Sequence, residues 1–201
     1  MKNLALYING KGGCSGGLLA HPETAPYIDS INIYDFTGKE LENYDSFLIG
    51  TDVDQKLLLE KKEYLDDFLK EGKTIVFCGA LAYPFLDGVG QFKKMTYNSY
   101  KDYEVFPVVE HSIWENVKPK DMTYRKGVAG FYARGYNPPP RNATIINTLG
   151  SDKHPIDYEY ITEDGGKVIV HCGNNLWLFI NDSTSASKMG PNLIKWLKDN
   201  K

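Results

Sequence analysis

At 201 residues, 42% of them hydrophobic, the chain has room for one domain with an elaborated insertion and a real core. Its 23 basic and 26 acidic residues leave a formal net charge of −3. With no basic run or stripe, that balance excludes a general nucleic-acid binder, because phosphate contacts need a basic face. No segment approaches the roughly 20 apolar residues of a membrane span, so no membrane partner is expected.

The start of the chain, Met1 to Ile8, reads as a short strand rather than a signal peptide. The three cysteines, Cys14, Cys78 and Cys172, have no metal-like spacing. A reduced, cytoplasmic protein is the expectation. Residues 3–9 form the first strand, followed by the loop Gly10-Lys-Gly-Gly-Cys-Ser-Gly-Gly, after which Leu18-Leu-Ala opens a short helix. Ile31-Asn-Ile-Tyr-Asp-Phe alternates as a strand does. Tyr44-Asp-Ser-Phe-Leu-Ile-Gly is more fully apolar, as buried parallel strands are.

Residues 54–71 are the clearest helix: Leu57, Leu58, Tyr64, Leu65, Phe68 and Leu69 share one face, and Gly72 terminates it. The strand Lys73 to Phe77 follows, and a helix between two apolar strands predicts a parallel crossover. Residues 83–140 are rich in Tyr, Pro and Gly and weakly periodic. Within them, Tyr103 to Val109 reads as an edge strand because Pro107 suits no central one, and Val128 to Tyr132 as a further strand. Ala143 to Leu149 is another. Tyr158-Glu-Tyr-Ile-Thr and Lys167-Val-Ile-Val form a hairpin across Gly165-Gly, and a terminal helix from Met189 docks through Leu193, Trp196 and Leu197. No repeat and no linker divides the chain, so residues 1–201 are read as one domain, with 83–145 as its loop-rich elaboration.

Two strands end in small-residue turns bearing reactive side chains: Cys78 at one, His171 at the other. Carboxyl ends of parallel strands are where ligands bind, so the two are candidates for one shared site. A histidine there provides the base a thiol needs to act as a nucleophile; the plain structural reading is a buried cysteine and a hydrogen-bonded histidine. Alternation turns Cys172 away from its neighbour. The glycine loop stands where phosphate-cradling turns stand. Gly10-Lys-Gly-Gly is similar to the start of the variant P-loop of ParA/MinD-type ATPases, but Ser15-Gly-Gly replaces the Gly-Lys-Ser/Thr that holds phosphate and Mg²⁺. Nucleotide hydrolysis is therefore rejected. Anion binding by loop amides and a plain surface turn both stay open. Asp54 reads as a helix cap, and Asp52 as a cap or a ligand group. Tyr97, Tyr100, Tyr103, Tyr124, Tyr132, Arg134 and Tyr136 supply the amphipathic anchors of binding surfaces. The histidines lack metal-ligand spacing, so no metal and no cofactor is expected.

The order of these pieces resembles the class I glutamine amidotransferase-like superfamily, nearest to its trehalose-utilisation-type (ThuA-like) proteins. The resemblance rests on Tyr44 to Gly50 with the helix and strand after it, on His111-Ser-Ile-Trp-Glu-Asn-Val, on Gly165-Gly-Lys-Val-Ile-Val-His-Cys-Gly and on Asn192-Leu-Ile-Lys-Trp-Leu. It implies an α/β fold, a flavodoxin-like three-layer sandwich with a mostly parallel central sheet. Catalytic members carry Gly-x-Cys-x-Gly after the strand matching 73–77. In this register Gly79 takes the nucleophile position, Cys78 lies one residue early, and no His-x-Glu follows His171, since Cys172, Gly173 and Asn174 stand there. Three functions follow. The first is a small polar-ligand-binding domain without a complete triad, using Gly10, Lys11, Gly12, Gly13, Ser15, Asp52, Gly79 and Asn174. The second is a Cys-dependent hydrolase or amidase with Cys78 as nucleophile, His171 as base and amides near Gly79 or of the glycine loop as oxyanion hole. The third is an assembly module, a homo-oligomer formed through Tyr132, Arg134 and Tyr136.

Overall fold

Continuous apolar runs along the central strands build one large sheet, and the chain's helices cover its faces. A computed structural model describes residues 3–10 and 17–200. Lys11, Gly12, Gly13, Cys14 and Ser15 of the glycine loop lie outside the described residues. The first half gives strands β1 (Asn3–Asn9), β2 (Ile28–Asn32) and β3 (Tyr44–Ile49), helices α1 (Gln55–Glu60) and α2 (Lys62–Lys70), and strand β4 (Thr74–Cys78). Next come β5 (Lys93–Lys94), β6 (Val105–Pro107), α3 (Pro119–Thr123), β7 (Tyr124–Arg125), β8 (Val128–Ala129) and β9 (Gly135–Tyr136). Strands β10 (Thr144–Leu149), β11 (His154–Ile161) and β12 (Lys167–His171) and helix α4 (Met189–Asp199) complete the chain.

Eight strands form a sheet in the order β2-β1-β3-β4-β12-β11-β10-β6. The first five are mutually parallel; β11, β10 and β6 continue the sheet antiparallel. The fold class is therefore α/β with a mostly parallel central sheet. Pro107 sits on the edge strand β6, where its missing N–H costs no central ladder bond. Register and alternation assign the two faces. Tyr7, Leu48, Val76 and Ile169 share one face, and there Tyr7 meets Trp177 edge-on at 5.3 Å. Lys167 on this face lies 5.0 Å from the Trp196 ring of α4. On the other face Phe47 stacks on Phe36, and Lys73, at the foot of β4, reaches Phe68 of α2. Apolar side chains thus fill both faces, which is why the central strands read as continuous hydrophobic runs.

Some elements differ from their sequence reading. The helix expected over 54–71 is two, joined at Lys61. The stretch Glu60-Lys61-Lys62-Glu63 has no buried side chain to hold that turn on the sheet. Strand β2 ends at Asn32, because the Asn32 side chain accepts from the Tyr34 N–H at 3.0 Å and turns the chain. Leu18 to Ala20 is a turn, and only Val128–Ala129 of the strand expected over 128–132 forms. The hairpin β11–β12 and the docking residues Leu193, Trp196 and Leu197 of α4 stand as expected. Among the described residues no helix is long and apolar enough to cross a membrane.

Asp54 caps α1 by accepting from the Lys56 and Leu57 N–H groups. Asp54→Ala is expected to lower stability by about 1 kcal/mol. Urea denaturation checks this as a fall in midpoint with an unchanged slope.

Candidate functional site at the carboxyl ends of the parallel strands

Because five neighbouring strands are parallel, their carboxyl ends collect along one rim: Gly10 after β1, Gly50 to Asp52 after β3, Gly79 and Ala80 after β4, Cys172 to Asn174 after β12. Chain order switches direction between β1 and β3, the position where open α/β sheets leave a crevice. The turns are held by side chains. The Asp52 carboxylate accepts from the Gly10 N–H at 3.3 Å, and Asn175 Oδ1 from the Thr51 N–H at 2.8 Å. Buried Asn137 clamps the turn after β4. Its Nδ2 donates to the Gly79 carbonyl at 2.8 Å, and its Oδ1 accepts from the Leu81 N–H at 2.9 Å. Gly79 has φ +138°, which a side chain would strain, and its N–H donates to the His171 carbonyl.

Above this rim opens a pocket of about 420 Å³, lined by Thr51, Ala80, Phe92, Phe131, Arg134 and Asn174 among others. Larger hollows of about 690 and 730 Å³ lie along Pro107 to Val117 and between Leu69 and Asp164, away from the parallel strand ends. One wall of the rim pocket is the segment 130–134. It is fastened to the end of β12 by the Ala133–Gly173 bridge, by the Asn174 N–H to the Tyr132 carbonyl at 3.2 Å, and by Asn174 Nδ2 to the Phe131 carbonyl at 2.6 Å.

Below the rim lies a sealed polar network. His171 Nδ1 and Asp157 Oδ1 share a hydrogen bond of 2.6 Å, both side chains fully buried. Asp157 Oδ2 accepts from the Tyr132 hydroxyl at 2.8 Å and from Asn147 Nδ2 at 2.9 Å. The Tyr132 hydroxyl in turn accepts from Trp114 Nε1 at 2.7 Å. Burial and the neighbouring Asp157 charge raise the Tyr132 phenol well above its ordinary range, so it stays a donor. Among the described residues His171 Nε2 has no hydrogen-bond partner. A Cβ on Gly173 would come within 2.8 Å of that nitrogen and closer still to the Tyr132 carbonyl, so only glycine fits there.

Several expected site residues take other places. Cys78 and His171 are register partners on adjacent strands, but no hydrogen bond joins them and both are fully buried. Burial pushes the Cys78 thiol up to about 12, against a lowering contact from the Leu176 main chain; an activated nucleophile shows the opposite shift. Gly79 offers no amide for an oxyanion, because that N–H is already spent on His171. Tyr132 is not a surface anchor: it is 1% exposed, with its hydroxyl on Asp157. Tyr136 is half-buried and stacked on His154 at 4.6 Å, and Arg134 is exposed at the pocket, so the three do not form one interaction face. Asp52 holds Gly10 at the end of β1, and Asn174 ties down the segment 130–134.

Sequence reasoning missed Asp157, Asn137, Asn147 and Trp114. The strand read there starts at Tyr158, one residue past Asp157, which is buried beside its register partner His171. Asn137 after β9 and Asn175 past β12 were the available signal, since buried amides clamp turns.

No family model and no curated protein matches the sequence. A solved structure of a catalytic mutant of Gan42B, a GH42 beta-galactosidase from G. stearothermophilus, is similar at TM-score 0.44 and 12% identity. The match covers 98% of this chain, which spans 30% of that structure's length.

Tyr132→Phe removes one of the two donors to Asp157 Oδ2, which keeps Asn147, and the acceptor of Trp114 Nε1, which is left without a partner. A loss of about 2–4 kcal/mol is expected in chemical denaturation, with an unchanged far-UV spectrum. The Cys78 thiol also sets an alkaline limit. It stays neutral in the folded chain up to about 12 but ionises near 9 when unfolded. Its contribution is therefore fully present below pH 9 and is lost as pH rises from 9 to 12, by at most about 1.4 kcal/mol per pH unit. Cys78→Ala flattens that decline; equal slopes for wild type and variant refute the buried thiol.

Proposed function

We propose that the chain is a small polar-ligand-binding domain of the glutamine amidotransferase-like kind, without a working catalytic triad. Its strand order β2-β1-β3-β4-β12, with helices on both faces, supports a flavodoxin-like three-layer reading. In that reading β6 and β10 come from or abut the Tyr/Pro-rich elaboration over 83–145. One observation carries the function: an open, partly polar pocket stands at the parallel strand ends, while the cysteine and histidine beneath it are sealed from it.

A second reading, a Cys-dependent hydrolase, is favoured by the His171–Asp157 hydrogen bond, because Asp157 supplies from β11 the acid that the sequence lacks after His171. That chemistry requires Cys78 to reach the pocket, and its burial and raised thiol oppose this. Self-association through the tyrosine-rich region falls to the exposed Tyr83, Tyr97 and Tyr100 rather than to Tyr132.

Screening a library of small polar molecules by amide-resolved NMR is expected to shift Ala80, Gly173 and Asn174 together, equally in wild type and Cys78→Ala. Shifts confined to other surfaces, or none, sink the ligand reading. Turnover of a bound amide or ester that Cys78→Ala abolishes establishes the hydrolase instead.

A further inference from the structure

The rim pocket has a charge character that the other hollows lack. Among the described residues lining it, Arg134 is the one formal charge and no carboxylate is present. The neutral state of its two other titratable liners is secured by burial, which raises both the Tyr132 phenol and the Cys172 thiol. Four other hollows each carry acid: Glu110 and Glu115 in one, Asp66, Asp87, Glu163 and Asp164 in the next, then Glu159, then Asp29. On a chain of net charge −3, a cavity lined this way selects for an anion.

Arg134 is also oriented. Its Nε donates to the Gly130 carbonyl at 2.8 Å, within the segment fastened to β12. That bond fixes the guanidinium plane and leaves the Nη edge for an incoming group. Among the described residues Arg134 makes no ion pair, whereas the nearby Arg125 is spent on Asp182 at 2.7 Å. The wall beside it is aromatic. Phe131 is held by Arg125, 4.4 Å from its ring centre, and by Phe179 edge-on at 5.8 Å; Phe92 also lines the pocket. One planar fork with one positive charge matches a carboxylate monoanion, whereas a phosphate dianion needs more than one cation to neutralise it.

We infer that this pocket binds a small organic carboxylate with an apolar, planar body, its carboxylate on the Arg134 guanidinium and its body against Phe92 and Phe131. The inference rests on the ligand-binding reading above and names the ligand's class. Because Arg134 is exposed, solvent screens the Coulomb part; affinity comes from charge-assisted hydrogen bonds and apolar contact.

The test is a titration of the full chain, read by amide NMR at Gly173 and Asn174. The probes are aromatic monocarboxylates with their matched carboxamides, benzoate and benzamide among them, and inorganic phosphate. Carboxylates are expected to bind at least about tenfold tighter than their amides. Arg134→Gln is expected to erase that preference while leaving amide binding unchanged, and Arg134→Lys to retain part of it. The amide spectrum of each variant reports whether the fold is intact. Equal affinity for acid and amide overturns the anion assignment and leaves the pocket a ligand site. Phosphate binding tighter than every carboxylate overturns the carboxylate assignment. Binding of none of these probes overturns the carboxylate inference, and the library screen decides the reading beneath it.

Discussion

The constraint on which the site depends is a carboxyl group with no access to water. Asp157 is fully buried, and a buried acid is tolerable only when its oxygens are hydrogen-bonded. Its partners come from three directions: His171 at the end of β12, Asn147 on β10 and Tyr132 from the segment 130–134. Satisfying one side chain therefore fixes the spacing of three strands and anchors a stretch with almost no regular structure of its own. Trp114 extends the same chain of donors beyond the sheet. Since 130–134 forms the pocket wall, the shape of the candidate site follows from the needs of an acid beneath it.

The same network decides what the strand-end cysteine is able to do. A nucleophilic thiol must ionise and must meet substrate. Cys78 meets neither demand: it is enclosed, and the Asp157 charge adds to burial in disfavouring the thiolate. The features that hold the rim in place are thus the ones that remove Cys78 and His171 from it. Packing and chemistry compete for one location, and packing prevails in this conformation.

Much of the frame was legible because the signals were long and repetitive. Apolar runs at β1, β3, β4 and β12, the amphipathic stretch at 54–71 and the edge-marking Pro107 each reflect burial, which periodicity reports directly. The network was not legible, because it depends on which residues lie opposite one another across strands far apart in sequence. Tyr132 sits 25 positions from Asp157, and nothing local distinguishes it from the exposed Tyr97 or Tyr100. Asp157 also fell just outside the strand read from Tyr158, so its place opposite His171 was not visible. Arg134 was singled out from its neighbours, but its role as the pocket's charge depends on what else lines the cavity.

The commitment of five rim amides within the protein bears on how a ligand is recognised. Glycine-rich strand ends suggest a cradle of free amides, the device that phosphate loops and oxyanion holes share. Here the amides of Gly10, Thr51, Gly79, Leu81 and Asn174 already donate to Asp52, Asn175, His171, Asn137 and Tyr132. Those bonds hold the turns rigid, and an N–H committed within the protein is not free to stabilise an incoming charge. Recognition along these turns then passes from main chain to side chains, and on the described walls the side chain best placed to supply it is the oriented guanidinium of Arg134. A rim that uses its own amides to stay in shape must find its specificity in what stands above it.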